Sequence, residues 1–178
     1  MKFNICKYHP CYEAIDYYRS KASFKDAWND CQRGDWMLWI SQRLGVDVRL
    51  LTKAKALCAK TVEHLMMNQR SKVAVQAALD FADGKIDRKE LYAAYTDAVG
   101  AADAAAYTAA ADADADAAAD AAADAVDAAY AAAYAAAADA VDADADAAAY
   151  ARLANQKQTA DICRKGLTDA VFGIVGEE

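Results

Sequence analysis

Between Ala101 and Tyr150 the chain is written almost entirely in alanine and aspartate, with a few tyrosines and valines, and no other feature narrows the fold as much. Alanine has the highest helix propensity, and neither glycine nor proline occurs from Ala101 until Gly166. The tract therefore predicts helix. A single uninterrupted helix over that span would reach roughly 100 Å at 1.5 Å per residue, which does not suit a small domain. Breaks are expected at two Asp-rich clusters, one starting at Ala111 and its match at Val141, 30 residues later. Aspartate is poor inside helices, good at their N-termini, and repels its own kind when crowded. The spacing suggests a short internal repeat, with Val126, Tyr130 and Tyr134 at i, i+4 and i+8 as its packing face. Large residues do not recur in heptads, which disfavours a coiled coil.

The tract also divides the charge. Of 27 acidic residues, 11 fall between 101 and 150, where there is no Lys or Arg, leaving 16 acidic against 20 basic residues elsewhere. An acidic surface repels phosphate, so direct nucleic-acid binding is not expected, whereas a basic protein partner is. The five cysteines, Cys6, Cys11, Cys31, Cys58 and Cys163, are odd in number and contain no Cys-x-x-Cys pair. They signal neither a disulfide framework nor a zinc site, and reduced, mostly buried thiols are expected. There is no apolar stretch long enough for a secretory leader or for a membrane span of about 20 residues, so no membrane contact and a cytoplasmic location are expected.

Outside the tract, local signals place the remaining helices in an all-α, multi-helix bundle forming one domain over 1–178. Residues 1–100 supply conventional core helices, 101–150 the repeat helices, and 151–178 a C-terminal helix that packs back. Three short helices are expected between residues 11 and 45. Cys11, Ala14, Ile15 and Tyr18 share one face of the first. Ser23 and Asp26 open the second as a capping box, and Gly34 is expected to close it in the left-handed conformation. Asp35 then caps a third that Gly45 closes, with Trp28, Trp36 and Trp39 converging. Asp47 opens a long helix through VRLLTKAKALCAKTVEHLMMNQ, its stripe formed by Leu50, Leu51, Ala54, Leu57, Cys58, Val62 and Leu65. Ser71 is read as the start of the next helix and Gly84 as its end, and Asp87 with Glu90 opens another. Leu153, Thr159, Ile162, Cys163 and Leu167 are expected in the core, with fraying after Gly173.

The words AWNDCQRGDWMLWISQRLGVD, LLTKAKALCAKTVEHLM, AALDFADGKI and TADICRKGL, in this order around the Ala/Asp/Tyr tract, resemble immunity proteins of polymorphic toxin systems. Such proteins also recur in phage genomes. The resemblance spans Cys11 to Leu167, and its most specific word is Arg-Gly-Asp-Trp-Met-Leu-Trp. It implies an all-helical protein that binds a cognate toxin or effector, without cofactor and without catalytic residues to carry over.

Several constellations have a chemical reading and a plainer one. Asp83, Gly84, Ile86 and Glu90 match the second half of a calcium loop, but Leu79 and Phe81 stand where its first carboxylates belong; a helix stop and a cap explain them better. Asp112, Asp114, Asp116 and Asp120, like Asp142, Asp144 and Asp146, lack the turn glycine and closing Glu of such a loop. They read as a solvated face, and no metal is assigned. His64 beside Glu63 reads as a packing or surface residue rather than a base for Cys58. Trp28, Trp36 and Trp39, with Tyr17 and Tyr18, read as core rather than as an exposed aromatic anchor for a partner. Without a glycine-rich phosphate loop or a nucleophile–histidine pattern, no enzyme is expected.

The function expected is toxin neutralisation by occlusion. Asp112, Asp116, Asp120, Asp124 and Asp127 would form the partner-binding face, joined by Arg33 and Asp35 of the RGD word. The alternatives are a phage inhibitor of a host defence system, acting as a nucleic-acid mimic or ligand sponge, and a self-assembling structural protein. A homo-oligomer stays open because alanine faces pack helix to helix.

Overall fold

The computed structural model describes residues 3–66, 69–99 and 145–176, which are helical with no strand among them. The helices are α1 (Tyr12–Arg19), α2 (Phe24–Asp30), α3 (Gly34–Leu44), α4 (Val48–Lys60), α5 (Gln69–Ala82), α6 (Arg88–Val99) and α7 (Ala145–Val175). Short 3-10 turns lie at Ile5–Tyr8 and Glu63–Leu65. The structure is the all-α, multi-helix arrangement that the sequence predicts.

Local chemistry sets most of the boundaries. The Ser23 hydroxyl accepts from the Asp26 amide at 3.0 Å and opens α2. The Asp47 carboxylate accepts from the amides of Arg49 and Leu50 at 3.0 and 3.1 Å, satisfying two of the donors that a helix start leaves unpaired. Asp87 and Glu90 cap each other's amides, both at 2.9 Å, in a reciprocal box that opens α6. Gly45 and Gly84 take φ of 77° and 76°, where a side chain would be strained. At Gly45 the next amide, from the buried Val46, reaches back to the Ser41 carbonyl, which ends α3 in a Schellman motif. Replacing Asp47 with Ala should cost about 1 kcal/mol of stability. Urea unfolding measures it, and an unchanged midpoint would show that the cap contributes nothing.

Two long-range expectations about turns are corrected. Gly34 does not close α2 in a left-handed conformation; it begins α3, after Cys31, Gln32 and Arg33 have turned the chain. Its glycine identity is a matter of close approach, since a Cβ there would lie 2.3 Å from Thr159 Oγ1 and 2.7 Å from the Thr159 carbonyl carbon. Asp35 is therefore inside the first turn of α3 rather than its cap, and its carboxylate is taken by Arg33.

The helix opened by Asp47 ends at Lys60, earlier than its apolar stripe suggested. The amides of Thr61 and Val62 bond to carbonyls three residues back, and the Thr61 hydroxyl takes the Cys58 carbonyl at 2.7 Å, which tightens the last turn. Val62 and Leu65 consequently leave the stripe. Leu57 is 39 % exposed because α4 is buried on two sides, with Leu51, Ala54 and Cys58 in one core cluster and Ala56 and Ala59 in another. Ala56 and Ala59 let α5 approach closely, where Val75, Ala78 and Phe81 meet them. Helix α5 is already formed at Gln69, so Ser71 lies within it.

Helix α7 is the strut of the larger cluster. Its 31 residues start inside the alanine tract, so the composition boundary at residue 150 is not a structural one. Ala160, Cys163, Leu167 and Val171 recur every three or four residues and are fully buried against α3 and α4. Thr159 and Ile162 also join this side, as expected. Leu153 does not, being 65 % exposed. The helix runs on past Gly173 to Val175, and the Gly176 amide closes it on the Phe172 carbonyl at 2.9 Å, where fraying was expected. Cys11 is exposed at the start of α1, leaving Ala14 and Tyr18 as its buried face. Trp28 is buried, and the half-buried Trp36 and Trp39 pack on the same cluster. No described helix is long and apolar enough to cross a membrane.

Candidate functional site

Arg33 and Asp35 are brought together at the junction of α2 and α3. The turn that carries them is fastened from behind by α7, whose Arg164 donates to the carbonyls of Cys31 at 2.5 Å and Asn29 at 3.3 Å. These carbonyls belong to the end of α2, where helix geometry leaves acceptors without partners. Cys31 is buried, and its thiol bonds to the Arg33 carbonyl at 3.5 Å. Burial pushes the Cys31 thiol pKa above its ordinary range, opposed by the Arg33 amide, which donates to the Cys31 sulfur at 3.4 Å.

The Arg33 guanidinium grips Asp35 with two parallel bonds, Nε to Oδ1 at 2.9 Å and Nη2 to Oδ2 at 2.6 Å. The same guanidinium stacks over the Trp36 ring with its central carbon 4.5 Å from the centroid. Its hydrogen bond to Asp35 raises its pKa further. Trp36 in turn lies against Tyr17 of α1, with ring centroids 5.7 Å apart. The result is a half-exposed plate of one ion pair and two rings. An ion pair this exposed contributes roughly 0–1 kcal/mol to stability. It has no nucleophile and no acid–base pair.

Tyr17 carries a measurable signature of the plate. Its hydroxyl donates to the Ala27 carbonyl at 3.0 Å, and its pKa is pushed up to about 12, first by burial and then by the charges near Cys31 and Asp30. The neutral phenol is favoured in the folded state, so the stability it contributes is intact below pH 10 and is lost as pH rises through about 12. A spectrophotometric titration compared with Tyr17→Phe should isolate one tyrosine ionising near pH 12. Ionisation of that tyrosine near pH 10 would contradict the placement.

The thiols have no catalytic arrangement. Cys58 lies against the Thr159 carbonyl at 3.8 Å and Cys163 against the Gly34 carbonyl at 3.7 Å, both buried. Contact with Cys58 and burial together raise the Cys163 pKa far above the ordinary thiol range. His64 stands on the exposed 3-10 turn, and the Cys58 thiol is occupied elsewhere. A thiol reagent should therefore label two of the five cysteines, Cys6 and Cys11, at once, and Cys31, Cys58 and Cys163 only on unfolding. Rapid reaction of all five would contradict this burial.

The residues of the calcium-loop resemblance are committed to other bonds. Asp83 pairs with Lys53 at 2.7 Å and Lys85 at 3.5 Å, while Glu90 caps Asp87. Asp112, Asp116, Asp120, Asp124 and Asp127 lie outside the described residues, as do Asp114, Asp142 and Asp144 and the face of Val126, Tyr130 and Tyr134.

Arg164 was not singled out as a site residue by sequence reasoning. Arg164 follows Asp161 by three positions and reads as an ordinary surface pair, which it also forms at 2.5 Å. Nothing local connects it to the end of α2. A scan against protein-family models and searches of curated proteins and of solved structures give no match.

Proposed function

We propose that this chain is a non-catalytic, immunity-like protein that binds and neutralises a cognate toxin or effector through its aspartate-rich segment. The observation that carries this reading is the segregation of 11 aspartates, without one Lys or Arg, into residues 101–150 of a chain whose remainder has a surplus of basic residues. A segment of that charge accelerates encounter with a basic surface and penalises acidic competitors. If the partner is a nuclease, its phosphate-binding groups are the natural complement of the carboxylates. The Arg33–Asp35–Trp36 plate offers a second contact of mixed charge and aromatic character, the residue types that anchor protein interfaces. The resemblance of the RGDWMLW word and its neighbours to immunity proteins points the same way.

The test is a pull-down from the native host lysate at low and at high salt, with mass spectrometry of the retained proteins. A stoichiometric basic protein released by salt is the expected result. Recovery of acidic proteins only, or of partners held equally at both salt concentrations, would count against the reading.

Self-assembly is a second reading, favoured by Tyr150 and Leu153, 77 % and 65 % exposed on the first half of α7. Sedimentation velocity over a tenfold concentration range distinguishes the two, since a concentration-independent monomer removes it.

A further inference from the structure

Two thiols from different helices meet inside the larger core cluster. Cys58 of α4 is almost fully buried and Cys163 of α7 fully so. The Cys58 sulfur lies 3.8 Å from the Thr159 carbonyl. Within an α-helix that carbonyl is the acceptor for the amide four residues on, which here belongs to Cys163. The Cα–Cβ bond of a helical residue tilts toward the helix N-terminus, so the Cys163 side chain leans back over the same turn. This places the two sulfurs side by side, and their contact is the first cause of the upward shift of the Cys163 pKa.

The other neighbours of the pair leave it no different partner. Cys31, the third buried thiol of the cluster, is held in the turn between α2 and α3, where its sulfur bonds to both the carbonyl and the amide of Arg33. On its α3 side Cys163 rests against the Gly34 carbonyl at 3.7 Å, which offers an acceptor and no thiol.

We infer that Cys58 and Cys163 form a latent disulfide site, which a small-molecule disulfide converts to a covalent bridge between α4 and α7. The inference does not depend on the aspartate-segment reading. The chemistry is two exchanges. One protein thiol loses its proton and attacks the small disulfide, releasing one small thiol and leaving a mixed disulfide. The second protein thiol attacks the protein sulfur of that mixed disulfide, forming the bridge and releasing the second small thiol. Two electrons and two protons thus pass from the protein pair to the small disulfide. In the closed fold both thiols are screened from solvent, and a protonated thiol is a poor nucleophile, so the first exchange waits for α7 to lift from α4. Once made, the bridge closes a long stretch of chain and keeps α7 on the bundle.

The experiment uses the full chain carrying Cys6→Ser and Cys11→Ser, which removes the exposed thiols, incubated with oxidised glutathione with and without sub-denaturing urea. Intact mass is expected to show the loss of two hydrogens, and non-reducing peptide mapping to join the peptides that hold Cys58 and Cys163. Urea should speed the reaction, and the bridged form should melt on the order of 10 °C above the reduced form. Cys58→Ala in the same background should abolish the bridge, and the wild-type chain mapped in the same way should contain it. Thiols that stay reduced even in urea, glutathione adducts without an internal bridge, or a bridge that uses Cys31 would overturn the inference. So would a bridged form that melts at or below the temperature of the reduced one.

Discussion

Gly34→Ala is expected to destabilise the protein by about 3 kcal/mol, although alanine is the better helix former by roughly 0.5–1 kcal/mol. The added Cβ would sit 2.3 Å from Thr159 Oγ1, 2.6 Å from Thr159 Cβ and 2.7 Å from the Thr159 carbonyl carbon, well inside any real contact distance. A side-chain rotation cannot relieve a clash with backbone, so α7 must move away from α3. That displacement also strains the bond from Cys163 to the Gly34 carbonyl. Thr159→Ala in the same chain should recover only part of the loss, because the backbone carbon remains. Urea unfolding of the single and double variants gives both numbers, and a Gly34→Ala variant within about 0.5 kcal/mol of wild type would refute the close approach.

Leu167→Ala should cost about 2–5 kcal/mol, because Leu167 is fully buried in the larger core cluster and its removal leaves a cavity. Leu153→Ala, two heptads earlier on the same helix, should change stability by less than about 0.5 kcal/mol, since that side chain is 65 % exposed. The contrast locates the part of α7 that holds the fold together. Equal effects at the two positions would mean that the helix packs in another register.

The sequence was most legible where structure depends on neighbours within four residues. Ser23 with Asp26, Asp47, and Asp87 with Glu90 each act over one helical turn, and each is found capping as its pattern indicates. Gly45 and Gly84 fit for the same reason, because a left-handed residue after an apolar run ends a helix by itself. Gly34 was misread because its requirement comes from Thr159, far along the chain, and no local pattern reports a close approach between distant helices. The apolar stripe after Asp47 misled in a related way. Periodicity continues through Val62 and Leu65, but the Thr61 hydroxyl and the 3-10 bonds stop the helix first.

The candidate site was legible only in part. Arg33 and Asp35 were both named from the RGD word, and they are found paired with each other, two positions apart. Arg164, which fastens the turn carrying that pair, comes from another helix and carries no signature of the contact, whereas Tyr17 was grouped with Trp36 and lies against it.

The central claim is that the aspartate-rich segment binds its partner by charge. The most direct test measures the affinity of the recovered partner for wild type and for a chain with Asp112, Asp116, Asp120, Asp124 and Asp127 replaced by Asn, across a series of salt concentrations. The account predicts weaker binding at low salt and a shallower salt dependence for the substituted chain. Identical affinity and identical salt dependence in the two proteins would contradict it.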